Sequence, residues 1–377
     1  MDGLTHSLVG LTSAKAGLER LSPGATVVCI LSANAPDIDV LSRLFGNHWT
    51  LLHYHRGITH SIIGTFALGI LIPSIFYAGD RLIARWRKHE ARIRYCGLLV
   101  ASLIAAATHP VMDWTNNYGV RPLLPWNGRW FYGDLVFIID PYIWLVLGGT
   151  AFLLTSTRLS KIIGWAALTI APTLLIFSGL PQRGLTATTV VLVRTIWIFG
   201  LAAFILARWF NFQGRVGRSI AFAALVFIIC YWGALALIHN AAYENAFRRA
   251  DQLAAERHEH LLRVAAMPTA ANPMRWQTVA ETDRAIYRFF VNVTDRRSST
   301  SERYEKPSGS SAQFVSLASL DPRAQVLLGF ARFPLAQVAD ENCIDQTLVQ
   351  FADLRYTEPG GSAGNFSLSV PVECPAR

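Results

Sequence analysis

The chain has 377 residues, 52% of them hydrophobic and 16% charged, against roughly 25% charged in soluble domains. That deficit excludes an ordinary water-soluble fold and points to lipid. A net charge of +9 would suit nucleic acid, but the basic residues fall largely in short links between apolar runs, where a membrane protein needs them; nucleic acid is therefore not expected as a partner.

In chain order, residues 4–18 and 24–35 are apolar yet too short to cross a bilayer comfortably. They read as a re-entrant or half-spanning hairpin turning at residues 19–23, tolerable where it is buried in protein or lines a cavity. Residues 1–6 lack a basic region and no small-residue cleavage site follows, so insertion is expected to use internal segments. Six longer apolar runs follow at 61–79, 95–112, 135–154, 162–180, 190–209 and 219–239, each near the ~20 residues that span the hydrocarbon as helix. The link 80–94 carries Arg81, Arg85, Arg87, Lys88, Arg92 and Arg94 and marks the cytoplasmic side. Alternation then puts Arg158 with Lys161, and Arg208 with Arg215 and Arg218, in the next two cytoplasmic links. Residues 113–134, 181–189 and everything after about 240 fall outside.

The last third changes character. A charged, helix-like stretch over 244–264 precedes β-rich runs at 285–294, 325–333, 347–356 and 365–372, separated by Ser-, Gly- and Pro-containing links. The expected architecture is thus a polytopic α-helical membrane domain over 1–243, with six spans plus the N-terminal short helical hairpin. A small C-terminal α+β domain over 244–377, with an antiparallel sheet, completes it. Cys29, Cys96 and Cys230 lie in apolar stretches and are expected to be inertly buried. Cys343 and Cys374 sit in the polar region and are able to pair if that region is extracytoplasmic.

The N-terminal half holds more His and Asp near apolar helix ends than a membrane protein tolerates without use. Asp2 and His6 lie in MDGLTH, Asp37 and Asp39 in APDID, His55 and His60 in HYHRGITHS, and His109 and Asp113 in THPVMD. A single histidine at a helix end is more often a cap than a ligand. Here, however, the topology drawn from Lys and Arg alone brings the ends carrying His6, Asp37, Asp39, His60, His109 and Asp113 to one face. His109 and Asp113 are four apart and share a helix side, with Pro110 between them as a source of distortion. Imidazole with carboxylate suits zinc, manganese or iron, so His6, Asp37, Asp39, His55, His60, His109 and Asp113 are the candidate ligands for one or two divalent ions, zinc or manganese first. Asp37, Asp39 and His60 are the candidates for chemistry, Asp39 as a bridge in a two-metal site. Arg56, Arg121 and Arg129 offer forked donors to a phosphate or carboxylate, although interfacial arginines also meet headgroups. Asp2, Asp134 and Asp140 stand where they could orient a ligand from behind or cap a helix.

The ordered set MDGLTH, PDID, HRGITHS, HPVMDWTNNYGVRPLLP and RWFYGDLVFIIDP resembles the YdjM-like family of bacterial inner-membrane metal-dependent hydrolases over about residues 1–155. The resemblance implies a multi-pass inner-membrane protein, and its motifs fall on His6, Asp37, Asp39, His55, His60, His109 and Asp113. The reading is a membrane-embedded hydrolase in which metal-activated water attacks a phosphoester or ester of a lipid or lipid-linked substrate, with site and C-terminal domain outside the cytoplasm. A metal or proton transporter, and a regulatory membrane protein with a structural metal, stand as alternatives.

Overall fold

The computed structural model describes residues 1–179, 185–294, 300–340, 345–361 and 366–374. They form two compact units: Met1–Ile38, Arg56–Leu237 and Pro268–Pro273 make one, and Asp39–His55, Ile238–Met267 and Met274–Arg377 the other. Among the described residues, six helices are long and apolar enough to cross a membrane: Ala25–Phe45, Ile62–Arg87, Tyr95–Trp114, Leu159–Gly179, Ala187–Trp209 and Ser219–Ala255.

The first unit opens with α1 (Gly3–Ala16), whose N-cap Asp2 accepts the Thr5 amide and whose run ends at Gly17, φ 152°. After a short 3-10 turn, α2 (Ala25–Asn34) packs back on α1, so the two segments do pair, but the second is not the short half-span expected. A 3-10 segment over Ala35–Phe45 extends α2 to the length of a span. The short helix α3 (His48–Tyr54) and a 3-10 turn over Ile58–His60 lead into α4 (Ile62–Arg87), capped by Ser61. Helix α5 (Tyr95–Trp114) packs on both α2 and α4. It continues through Pro110, so Pro110 does not end the helix as its chemistry suggests.

The run expected to span at 135–154 forms a shorter helix, α6 (Pro141–Thr155). The Asp140 carboxylate accepts the Tyr142 and Ile143 amides, and Pro141 sits at the first helical position; both fix the start there. Helices α7 (Leu159–Leu174, continued by a π-turn to Gly179), α8 (Ala187–Trp209), α9 (Phe212–Val216) and α10 (Ser219–Ala255) follow. Close approach of α6 and α8 depends on small residues: a Cβ on Gly149 would stand 2.2 Å from the Phe204 ring and one on Gly200 2.4 Å from Leu145. Large apolar side chains such as Ile62, Phe199 and Trp209 point outward, as lipid-facing surface does. Cys29 is buried as expected, whereas Cys96 and Cys230 are free and exposed on their helices, because these positions face away from the bundle.

In the second unit, strands β1 (Leu261–Thr269), β2 (Asn272–Thr282), β3 (Ala285–Asn292) and β4 (Glu302–Glu305) make one sheet in sequence order. Strands β5 (Pro334–Val338), β6 (Gln346–Asp353) and β7 (Ser367–Glu373) make a second, with antiparallel pairing throughout. Ala242, Ala246 and Ala250, one face of the last turns of α10, pack against Trp276, Tyr287 and Phe289. Two helices, α11 (Gly309–Ala318) and α12 (Pro322–Phe330), pack on the second sheet, and α3 rests on α12. The run 325–333, read from sequence as strand, is therefore mostly helix. Asp321 caps it and Pro322 occupies its first position, a helix-start signal that outweighs the β-branched and aromatic content. Cys374 is disulfide-bonded; Cys343 lies outside the described residues.

Candidate metal centre

Three helix ends meet in the first unit. Asp37 follows the end of α2, His60 precedes α4, and His109 with Asp113 occupies the last turns of α5. One ligand atom from each of these four residues falls within 4.8 Å of every other. His60 Nε2 stands 3.4 Å from Asp37 Oδ1 and 3.4 Å from Asp113 Oδ2. His109 Nε2 stands 3.5 and 3.6 Å from the same oxygens and 3.1 Å from His60 Nε2. Ligands held tetrahedrally at roughly 2.0–2.2 Å from zinc stand about 3.3–3.6 Å apart, so the spacing suits one ion.

His109 Nδ1 lies 2.7 Å from the carbonyl of Ala33, which only accepts, so this nitrogen carries the proton. In the neutral ring Nε2 is then a bare lone pair aimed at two carboxylate oxygens and a second imidazole. One proton on His60 Nε2 would satisfy a single neighbour; a divalent cation satisfies all four atoms at once. The Nδ1 contact is also the usual way a ligating histidine is oriented from behind. His60 has an equivalent in Thr59, whose Oγ1 is 3.1 Å from His60 Nδ1.

Asp113 is held from the far side by Arg56. The guanidinium places Nε 3.0 Å from Oδ2 and Nη2 3.1 Å from Oδ1, while Nη1 donates to Asn116 Oδ1 at 3.0 Å and the Gly119 carbonyl at 3.1 Å. Arg56 is itself buried and stacked over Tyr118. The Met1 amino group also contacts Asp113. His6 stacks on His109 with ring centroids 3.7 Å apart and has Nε2 3.3 Å from Asp113 Oδ1. Although fully buried, neither His6 ring nitrogen has a hydrogen-bond partner among the described residues. A buried ring with one N–H and one lone pair both unpartnered is costly.

The remaining candidates lie as follows. Asp39 and His55 belong to the second unit and pair with each other, Oδ1 to Nδ1 3.0 Å. Arg121 stacks over Trp130, and Arg129 is exposed over Phe131. Asp2 caps α1 and accepts the Trp144 indole N–H, tying α1 to α6. Asp140 caps α6 and accepts the Tyr231 hydroxyl at 2.9 Å. Asp134 is buried with φ 53°. Asn116, the side-chain acceptor for Arg56, lies three residues after Asp113 in the segment DWTNN, a fixed offset that is the one signal for it in the sequence.

The YdjM inner membrane protein family matches residues 1–185. The inner membrane protein YbcI of Escherichia coli strain K12 is 30% identical over 132 residues, covering 34% of this chain and 70% of YbcI. The chain belongs to the YdjM inner membrane protein family. The protein YfhP of Bacillus subtilis strain 168 is 26% identical over 155 residues, 38% of this chain, and the match spans 43% of YfhP. No solved structure matches the chain. Family membership and six apolar helices make this a multi-pass inner-membrane protein, and its YdjM-matching part contains all four residues of the candidate centre.

Proposed function

We propose that this YdjM-family protein is a membrane-embedded metal-dependent hydrolase acting on a phosphoester, or an ester, of a lipid or lipid-linked substrate. The observation that carries the reading is the convergence of His60 Nε2, His109 Nε2, Asp37 Oδ1 and Asp113 Oδ2 on one point. Two nitrogens and two oxygens suit zinc or manganese better than magnesium or calcium. A divalent cation held there would supply a Lewis acid that lets water lose its proton near neutral pH.

The four residues divide by access. The His60, His109 and Asp113 side chains are 0–1% exposed, whereas Asp37 is 28% exposed. The buried three form the holding set. Asp37 stands on the accessible side, where its carboxylate can take the proton of the attacking water. Arg121, whose Nε donates to the Arg56 carbonyl at 3.5 Å, and the exposed Arg129 are assigned as donors for an anionic substrate. The basic links favour that end of α4 and α5 lying outside the cytoplasm, and a disulfide at Cys374 suits an oxidising compartment for its own region.

The test uses protein purified in mild detergent, loaded with zinc or manganese, and assayed with bis-p-nitrophenyl phosphate, p-nitrophenyl acetate and phosphatidylglycerol in mixed micelles. The reading predicts turnover of at least one, with Asp37→Asn keeping its metal and slowing roughly 100-fold or more. No turnover of any substrate by loaded protein, or unchanged turnover in Asp37→Asn, would contradict it.

A further inference from the structure

Helices α1, α6, α7 and α8 enclose an apolar groove of about 670 Å³. It lies away from the metal centre: Leu4 and Leu8 line it from α1, while His6 projects from the opposite side of that helix, about 160–200° around. The groove is a wedge. Near the π-turn, α8 is tied down by Trp197 Nε1 donating to Thr173 Oγ1 at 3.0 Å and by Arg194 donating to the Phe177 carbonyl. At the other end α8 is tied instead to the α6–α7 link, where Arg208 donates through Nε and Nη2 to the Ser156 carbonyl at 3.1 and 3.0 Å. Between these ties α7 and α8 leave the space that Trp165, Phe152 and Phe204 line.

The wall offers almost nothing to a polar occupant. The indole N–H groups of Trp144, Trp165 and Trp197 are satisfied by Thr5, Thr155 and Thr173, and the Thr169 hydroxyl by the Trp165 carbonyl. Among the lining residues, charge appears at one end only. Arg208 lines the mouth with its Nη1 unbonded among the described residues, and the exposed Arg158 and Lys161 sit at the same helix ends. From Trp197 to Arg208 the helix rises about 17 Å, close to the roughly 15 Å of hydrocarbon in one leaflet.

We infer that this groove holds one acyl chain of an anionic phospholipid, with its phosphate at Arg208 and its chain running toward Trp197. A hydrocarbon chain matches the satisfied apolar wall, the length matches one leaflet, and the cationic mouth selects the anionic headgroup. The site is separate from the metal centre and does not depend on the hydrolase reading.

Native mass spectrometry of the full chain, exchanged into micelles doped with phosphatidylglycerol or phosphatidylethanolamine, tests this. The wild type should retain one phosphatidylglycerol in clear preference to phosphatidylethanolamine. Ala166→Trp, which fills the groove, should lower that retention at least tenfold, and so should Gly148→Leu, built at a position where a Cβ meets only Leu8 at 3.9 Å. Arg208→Gln should abolish the headgroup preference. Equal retention of the two lipids by the wild type would overturn the assignment, as would full retention by whichever blocking variant elutes as folded protein. A lipid-free dimer would give the groove to a second copy of the chain and overturn it equally.

Discussion

Arg56 holds Asp113 from inside the protein: Nη2 donates to Oδ1 at 3.1 Å, and Nε stands 3.0 Å from Oδ2 as an ion pair. The pair is buried on both sides, so Arg56 is a positioning residue: it fixes which oxygen of Asp113 faces His60 and His109. Its left-handed backbone, φ 52°, and its bonds to Asn116 and Gly119 hold the fork in place.

Arg56→Ala is expected to leave a buried carboxylate uncompensated and to cost about 3–5 kcal/mol. Arg56→Lys keeps the charge but loses the fork. Its metal affinity should fall roughly 10–100-fold, as for other groups that orient ligands. Metal titration of Arg56→Lys in detergent checks this; unchanged affinity would show that Asp113 needs no fork.

The turn that presents His60 depends on Gly64. A Cβ there would lie 1.9 Å from the Ile58 carbonyl, in the 3-10 turn ending at His60. Gly64→Ala should therefore displace the turn, destabilise by about 1–3 kcal/mol, and weaken metal binding. Gly79→Ala in the same helix meets nothing within 4 Å and should be neutral or stabilising by up to about 1 kcal/mol. Thermal melts and metal content of the two variants make the comparison.

In the C-terminal unit, Glu259 accepts from Arg303, Thr282 and Tyr287. Burial alone would raise its carboxyl above the ordinary 4.5, but these hydrogen bonds, Arg303 foremost, hold it below that value. A depressed folded-state value means the stabilisation is present above pH 4.5 and is lost as pH falls from there through the folded value. Hydrogen-exchange protection in β2 and β3, corrected for the intrinsic rate at each pH, should fall across that acid window in the wild type. Glu259→Gln should flatten the dependence while losing protection at neutral pH.

Much of this was legible in the sequence because lipid imposes long apolar runs and punishes unpaired ionisable groups. Five of the six expected spans are among the helices long enough to cross. The other run was shortened by the Asp140–Pro141 start, a local signal that overall hydropathy hides. His60, His109, Asp37 and Asp113 were each visible as charged or imidazole groups at apolar helix ends. The grip of Arg56 on Asp113 was not, because it spans 57 positions and requires the turn after α5 to fold back. The strand expected at 325–333 failed for a similar reason: Asp321 and Pro322 lie upstream of the segment whose composition suggested β.

The account turns on a cation held by His60, His109 and Asp113 with Asp37 beside it, so the most direct measurement is the metal content of detergent-purified wild type beside His60→Ala, His109→Ala and Asp113→Asn. The prediction is about one zinc or manganese per wild-type chain and less than a tenth of that in each folded variant. A metal-free wild type from metal-replete cells that also fails to bind added ion, or variants carrying as much metal as the wild type, would contradict it.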